Sequence, residues 1–159
     1  MIENRVINHI AISVPDLEAA ASWYEEVFGF RRIRTDTSTA RSATPAAPIF
    51  RIYGEQLNEV KIAYMSAGNG VGFELFQFVD PPYKKPEDGF NFARGGLFHF
   101  AVTVADIDAA EKLIQEKGGK IIGEGVEVYG AGALYASDPW GNVIECVTTS
   151  FEILLGNRD

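Results

Sequence analysis

The alternation of apolar and polar residues predicts a strand followed by a helix in each half of the chain. The first strand, over about 6–14, is apolar nearly throughout, which indicates burial on both faces. Its helix carries apolar side chains at three- and four-residue spacing, with Asp16 to cap the first free amides and Gly29 to end it. The second half has the same order, with Asp106 before its helix and two glycines after it.

These two units form an internal repeat with a constant offset of 90 residues. The segment NHIAISVPDLEAA, which begins at Asn8, aligns with FHFAVTVADIDAA, which begins at Phe98, so that His9 matches His99. Most mismatches are conservative, such as isoleucine with valine or serine with threonine. Two copies indicate a duplicated module rather than a solenoid, which needs more repeats to bury a continuous core.

Short strand-like runs follow each helix, so each half is predicted to be a βαβββ module in an α+β fold. The runs are IFRIYG, VKIAYM and GFELFQF in the first half, and KIIGEGVEV, ALYAS and NVIECV in the second. The stretch 34–48 has few large apolar residues and is expected to be an exposed, mobile loop. The predicted domains are a first module over 1–79, a Pro- and Gly-rich linker over 80–96, a second module over 97–148, and a tail over 149–159. The tail has apolar residues and is expected to pack on the body of the protein or on a partner.

Composition and charge exclude several classes of partner. The 159 residues are 47% hydrophobic and 23% charged, without an apolar run near the ~20 residues of a membrane span. The net charge of −8 argues against binding to nucleic acid or to an anionic membrane, since both require clustered Lys and Arg. The single cysteine, Cys146, excludes an intrachain disulfide and fits a reducing compartment. The N-terminus lacks the pattern of a signal peptide, so we expect a cytoplasmic protein that acts on a small molecule or on another protein.

The two histidines of the chain occupy matched positions of the repeat. Because side chains alternate across a strand, His9 and His99 are expected to point away from the sheet face that each helix covers. A single histidine in an apolar strand is more often a hydrogen-bonded core residue than a ligand. A matched pair favours a ligand or catalytic role more strongly, although duplication also preserves two structural histidines.

Two glutamates interrupt apolar strands, one near the end of each half. They are Glu74 in GFELFQF and Glu145 in NVIECV. A buried, unpaired carboxylate costs several kcal/mol, so each is paired with a cation, protonated, exposed on an edge strand or bound to a metal. Two imidazoles and two carboxylates suit one divalent ion per site: zinc, nickel, cobalt, manganese or iron. We therefore interpret His9, Glu74, His99 and Glu145 as metal ligands.

The two repeated segments, together with the closing YASDPWGNVIECV, resemble the vicinal oxygen chelate superfamily of glyoxalases, bleomycin resistance proteins and extradiol dioxygenases. The resemblance covers nearly the whole chain. It implies that paired βαβββ modules curl into a half-barrel sheet around a divalent metal. It implies ligands from the first and last strands of each module, which here are His9, Glu74, His99 and Glu145. It also implies a homodimer and a small substrate that chelates the metal through neighbouring oxygens.

Within this superfamily the residues favour proton transfer over oxygen chemistry. Glyoxalase I-like lyases and epimerases use four protein ligands, and one carboxylate often doubles as the base, a role open here to Glu74 and Glu145. Ring-cleaving dioxygenases use two His and one Glu with a further histidine as acid or base, and this chain has no third histidine. Tyr135 is a candidate substitute for it. We expect a metal-dependent lyase or isomerase, with an Fe(II)-dependent extradiol-type dioxygenase and a non-catalytic metal-containing ligand-binding protein as alternatives.

Aromatic residues next to the glutamates are candidates for the substrate pocket. Phe76 and Phe78 share a face with Glu74, so they either line an apolar cavity or belong to the core; Tyr135 is the third candidate. The region around Glu74 resembles methylmalonyl-CoA epimerases more than glyoxalase I, in which a Thr-and-Asn stretch follows the first glutamate. Cys146 is expected to be a small buried residue rather than a nucleophile. Four cations are candidate anchors for a substrate carboxylate or thioester, or else surface charges: Arg5, Arg51, Lys61 and Arg94.

Overall fold

The computed structural model describes residues 3, 5–86 and 90–156. The chain divides into two compact units, Met1–Lys85 and Pro86–Asp159. Part of the predicted linker, 87–89, and the end of the predicted tail, 157–159, lie outside the described residues. Each unit contains its own sheet and helices, and the predicted α+β class with two βαβββ modules is confirmed.

The first unit is a five-stranded sheet with two helices. Its strands run in the order β1-β5-β4-β2, and β3 pairs with β4 beside β2. The β1 and β5 strands are parallel, and the other pairs are antiparallel. The elements are β1 (His9–Ser13), α1 (Leu17–Phe28), β2 (Arg31–Arg32), β3 (Thr37–Ala40), α2 (Pro48–Tyr53), β4 (Glu59–Ser66) and β5 (Gly72–Asp80).

Helix α1 begins and ends where the sequence predicts. The Asp16 carboxylate accepts a hydrogen bond of 3.0 Å from the amide of Ala19, and Gly29 adopts a φ of +68° just after the helix. The buried ring of Tyr24 lies 4.7 Å from the ring of Phe73 in β5, measured between centroids. Helix α1 therefore covers the sheet face that bears Phe73.

Two expectations for this unit are wrong, because an apolar composition alone does not tell where a segment lies in the sheet or whether it is a strand. The β1 strand lies at a sheet edge and alternates between exposed and half-buried residues, so it is not buried on both faces. Just before it, Val6 and Ile7 are exposed. The run IFRIYG is not a strand but most of helix α2, which starts at Pro48 and buries Phe50.

The predicted loop over 34–48 also contains regular structure. Its residues Thr37–Ala40 form β3, which pairs antiparallel with β4. Threonine has a high propensity for strands, and two of these four residues are threonines, which explains how a segment poor in large apolar residues joins the sheet. The short strand β2 is a further element that the sequence did not indicate.

The second unit has a four-stranded sheet in the order β6-β9-β8-β7, with β6 and β9 parallel. The Asp106 carboxylate accepts a hydrogen bond of 2.7 Å from the amide of Ala109, which confirms the predicted cap of its first helix. Gly118 adopts a φ of +82° after that helix. The elements are β6 (Phe100–Thr103), α3 (Ile107–Glu116), β7 (Lys120–Val128), β8 (Ala131–Ser137), β9 (Val143–Val147) and α4 (Phe151–Leu155).

A glycine allows α3 to lie close to this sheet. A Cβ atom on Gly132 of β8 would lie 2.6 Å from Cγ1 of Ile107, which is closer than real side chains approach. The predicted tail forms α4, where Phe151 and Ile153 remain exposed rather than packed on the body of the chain. None of the helices described here has the length and apolarity that a membrane span requires.

Candidate metal centre

The strand register of the first unit brings His9 beside Glu74. Ala11 of β1 is opposite Glu74 of β5, and His9 lies two residues earlier on the same face. Nε2 of His9 is 3.5 Å from Oε2 of Glu74. His9 is itself opposite Gly72, whose missing side chain leaves room, because a Cβ there would lie 3.0 Å from Cβ of His9.

A hydrogen bond fixes which nitrogen of His9 is free. Nδ1 of His9 lies 2.8 Å from the side-chain oxygen of Asn8. Because a carboxamide oxygen only accepts, Nδ1 donates to it, and Nε2 is the nitrogen that faces Glu74. This arrangement resembles the outer hydrogen bond that orients metal-binding histidines in general.

The second unit repeats the same register with His99 and Glu145. Ala101 of β6 is opposite Glu145 of β9, and His99 again lies two residues earlier. Nε2 of His99 is 3.2 Å from Oε2 of Glu145, and both side chains are 24% exposed, whereas His9 is 48% exposed. Nδ1 of His99 is buried and has no hydrogen-bond partner in the part of the chain that the structure describes. Aromatic rings hold this imidazole instead, at centroid distances of 4.4 Å from Phe98 and 5.2 Å from Tyr135.

A tyrosine faces the glutamate in each unit. In the first unit Tyr64 of β4 is opposite Glu74, and in the second unit Tyr135 of β8 is opposite Glu145. The sequence indicated Tyr135 as a candidate pocket residue but not Tyr64. The signal that reveals both is the shared spacing, since each tyrosine lies ten residues before its glutamate in YMSAGNGVGFE and YASDPWGNVIE.

The environment of Tyr135 changes the acidity of its hydroxyl. Burial raises the pKa of Tyr135, and the negative charge of Glu145 and a hydrogen bond to that carboxylate raise it further. The phenol therefore stays protonated and can donate its hydrogen to Glu145. Its ring also lies 6.1 Å from that of Phe90, so the face around Glu145 is largely aromatic.

The two candidate pocket phenylalanines are both on the face of Glu74 and partly buried. Phe76 is opposite Ile62 and Phe78 is opposite Val60, in the same alternation as Glu74. Their rings stack at 5.7 Å and pack against the cluster around the buried Phe50 of α2. They therefore form an aromatic wall that is continuous with a local hydrophobic core.

Of the four candidate anchoring cations, one lies on the wrong sheet face and three are exposed. Lys61 is opposite Gln77, whose side-chain oxygen accepts a hydrogen bond from the amide of Leu17 in α1. Lys61 therefore lies on the sheet face opposite to that of Glu74. The remaining three are exposed at the surface: Arg5, Arg51 and Arg94.

Cys146 has the properties of a structural residue. Its side chain is fully buried, and this burial raises the pKa of the thiol to about 11, with the charge of Glu145 as a smaller cause. A thiol that stays protonated is a poor nucleophile. The expectation of a small buried residue agrees with this environment.

The histidine and glutamate of each pair are residue types that bind divalent metal ions. Each unit presents one imidazole nitrogen and one carboxylate oxygen, an N,O pair that zinc and the other borderline divalent ions accept. Among the residues that the structure describes, no three His, Cys, Asp or Glu side chains gather into one ligand cluster. The four-ligand site thus stays a prediction, supported by two equivalent half-sites.

A duplicated βαβββ module with a histidine–glutamate pair on the open face of each sheet defines a class of two-module α+β proteins. Residues 6–146 match the Glyoxalase/Bleomycin resistance protein/Dioxygenase superfamily, and the chain belongs to this superfamily. The resemblance inferred from the repeated segments is confirmed.

Similar proteins include two epimerases. The chain is 27% identical over 147 residues to 2-epi-5-epi-valiolone epimerase of an Actinomyces species, covering 89% of this chain and 78% of that one. It is 29% identical over 134 residues to ethylmalonyl-CoA/methylmalonyl-CoA epimerase of Cereibacter sphaeroides, covering 79% and 80%. A crystal structure of a glyoxalase family protein from Bacillus cereus matches with a TM-score of 0.76 and 23% identity, over 92% of this chain and 97% of that one. This last match concerns the fold alone.

Proposed function

We propose that this protein is a divalent-metal-dependent isomerase or lyase that moves a proton beside a carbonyl group of a small substrate. The observation that carries the proposal is the duplicated histidine–glutamate pair, with Nε2–Oε2 distances of 3.5 and 3.2 Å produced by one strand register. The epimerase names of two relatives support proton transfer as the reaction type, because an epimerase inverts one stereocentre.

Four residues would hold the ion: His9, Glu74, His99 and Glu145. When bound, a divalent ion supplies Lewis-acid stabilisation of the negative charge that develops on chelating substrate oxygens. His9 would bind through Nε2, since its Nδ1 is engaged with Asn8. Zinc, nickel, cobalt, manganese and iron all fit this donor set.

The glutamates are also the groups proposed to move the proton. An epimerisation removes a proton from one side of a carbon and returns one on the other side, so a pair of carboxylates serves as base and acid. Glu74 and Glu145 are 23% and 24% exposed, which leaves them accessible from the open sheet face. Tyr135 would orient the Glu145 carboxylate through its hydroxyl, and Phe76 and Phe78 would exclude water from the side of Glu74.

Metal analysis of histidine variants tests the ligand assignment. We expect His9→Ala and His99→Ala each to lower the bound zinc or nickel measured by elemental analysis, and the double variant to lose it, with the fold retained by circular dichroism. Glu145→Gln should weaken binding as well, whereas its control Glu127→Gln, on an exposed position of β7, should not. Full metal occupancy in the double variant would refute the assignment.

Hydrogen exchange tests the reaction. The metal-loaded protein is incubated in deuterated water with candidate 2-oxo, thiohemiacetal and acyl-CoA compounds, and deuterium incorporation is followed by NMR. We expect incorporation beside the carbonyl that stops after chelation and returns with added metal. If the protein binds the metal and the compounds but no hydrogen exchange occurs, it would instead be a non-catalytic metal-containing ligand-binding protein.

A dioxygenase is the second candidate, because Tyr135 offers a protonated hydroxyl within hydrogen-bonding reach of Glu145 and its ring contacts that of His99. The dioxygenase hypothesis predicts that the Fe(II)-loaded protein takes up oxygen when catechols are added, and that Tyr135→Phe abolishes this uptake. The proton-transfer proposal predicts no such uptake.

A further inference from the structure

A row of polar side chains crosses the open face of the first sheet from β1 to β3. It starts with His9 and Glu74, and it continues to Tyr64, which is opposite Glu74. The row ends at Thr37, whose hydroxyl oxygen lies 3.3 Å from the hydroxyl oxygen of Tyr64. Ile62 and Phe76 lie next to this row on the same face, so a polar part of a ligand there would interact with the row rather than with these side chains.

Arg34 adds a positive charge to this row. Its guanidinium carbon lies 5.1 Å from the centroid of the Tyr64 ring, in a cation–π contact. The segment that carries Arg34 is fixed to β4, because the amide of Ile33 donates to the carbonyl oxygen of Tyr64 at 2.9 Å. The position of this charge next to Tyr64 is therefore set by the backbone of the sheet.

The charge of Arg34 is not neutralised by a carboxylate among the described residues. The neighbouring Arg32 shows the contrast, since its guanidinium contacts three carboxylates: Glu18, Glu25 and Asp36. Arg41 is also engaged, because it donates to backbone carbonyl oxygens of Gly54 and Leu57. Arg34 thus keeps its guanidinium hydrogens available for a ligand.

The second unit shows that the tyrosine itself does not require this cation. Tyr135 is opposite Ile122 of the preceding strand, β7, and its ring neighbours are His99 and Phe90. Ile33 has the same place beside Tyr64. Arg34, one residue further on, therefore corresponds to Gly123, and among the described residues no cation–π contact reaches Tyr135. The module thus folds without a cation at this place, so the fold itself does not account for Arg34 in the first unit.

We propose that Arg34, with the hydroxyls of Tyr64 and Thr37, binds an oxyanion of the substrate, either a carboxylate or a phosphate group. The inference rests on the proposed function and narrows it to acidic small molecules that carry an anionic group besides the chelating oxygens. A guanidinium and two hydroxyls are donors that suit such oxyanions. On a chain with a net charge of −8, a local cation is needed to hold an anionic substrate.

The first experiment tests the anion site without metal. Inorganic phosphate and acetate are titrated separately into the metal-free full-length chain, and the Nε–H resonance of Arg34 is followed by NMR. We expect a saturable shift with at least one of the two anions, and the stronger response identifies the preferred group. The Arg34→Ala variant lacks that resonance, so the resonances of Tyr64 and Thr37 are followed in this variant instead. Their shift on addition of the anion should disappear.

Lys61→Ala is the matched control, because it removes one positive charge from the opposite face of the same sheet. It should leave the anion response of Arg34 unchanged. Circular dichroism should show both variants to be folded, since Arg34 is exposed and Lys61 lies at the sheet surface. Equal anion responses of Tyr64 and Thr37 in wild type and Arg34→Ala would overturn the proposal.

The second experiment compares 2-oxoglutarate with 2-oxobutyrate on the metal-loaded protein by calorimetry. Both present the same neighbouring oxygens, and only 2-oxoglutarate has a distal carboxylate. We expect 2-oxoglutarate to bind about tenfold more tightly, in line with one charge-assisted hydrogen-bonded contact, and the difference to vanish in Arg34→Ala. An unchanged ratio in that variant would contradict the role of Arg34. If the anions shift the Arg34 resonance in the first experiment but neither oxo acid binds in the second, the anion site is supported. The proposed chelating function would then be contradicted.

Discussion

The buried carboxylate of Asp138 closes the turn between the strands that carry Tyr135 and Glu145, and its removal tests what stabilises the second unit. Asp138 is 1% exposed. Its Oδ1 accepts hydrogen bonds from the amides of Trp140 and Asn142, at 3.0 and 2.8 Å, and its Oδ2 accepts one of 2.6 Å from the side-chain amide of Asn142. Asp138→Ala removes the acceptor of all three bonds.

The expected loss follows from these three bonds. A hydrogen bond to a charged group contributes about 1.5–3 kcal/mol, but the turn gains access to water when the carboxylate is removed. Taking about 1–1.3 kcal/mol for each bond, Asp138→Ala should lower the free energy of unfolding by about 3–4 kcal/mol. For a chain of this length, that corresponds to a fall of about 6–16 °C in the melting temperature.

Urea unfolding of the metal-free protein, followed by circular dichroism and tryptophan fluorescence, measures this loss. Asp138→Asn keeps one acceptor oxygen for the two backbone amides and loses the bond to the Asn142 side chain, so we expect about a third of the effect. Asp108→Ala, at an exposed position in the first turn of α3, is the control and should cost less than about 1 kcal/mol. A loss below about 1 kcal/mol in Asp138→Ala would refute the reasoning.

Two further variants and one thiol-reactivity measurement test the packing of the modules. Gly132→Ala places a methyl group against Ile107 and should cost about 1–3 kcal/mol in urea unfolding, whereas Gly95→Ala, which meets no atom within 4 Å, should cost little. The thiol of Cys146 is fully buried and should react with Ellman's reagent only after unfolding, so rapid reaction of the folded protein would contradict its placement. Asp106→Ala removes the cap of α3 and should cost about 1 kcal/mol by the same unfolding assay.

The histidine and glutamate pairs follow from the sequence because both depend on short-range rules. Strand alternation fixes the face of His9, and duplication requires His99 to have an equivalent place. Each glutamate is recognisable because a carboxylate in an apolar strand needs a partner. What remained open was the register between the strands, which depends on hydrogen bonds between residues far apart in sequence.

Tyr64 and Arg34 were missed for the same physical reason. Tyr64 joins the site because β4 pairs with β5 in the register that sets it opposite Glu74, and an ordinary tyrosine in a strand gives no local sign of this. Arg34 belongs to a segment that looked like a loop, and only the pairing of Ile33 with Tyr64 fixes its position. Helix α2 was mistaken for a strand because short apolar runs are ambiguous between the two structures.

The two hairpins that carry the glutamates show which part of the geometry is essential. The amide of Ala67 donates to the carbonyl oxygen of Val71 at 3.1 Å, and the amide of Asp138 donates to that of Asn142 at 3.0 Å. Each turn is therefore closed by a backbone hydrogen bond at the equivalent position. At the place of Asp138 the first unit has an alanine, which offers no side-chain acceptor. Strand pairing alone therefore sets the tyrosine opposite the glutamate. Loss of the Asp138 carboxylate should then destabilise the second unit while its histidine–glutamate pair, and the metal affinity that depends on it, persist in the folded protein.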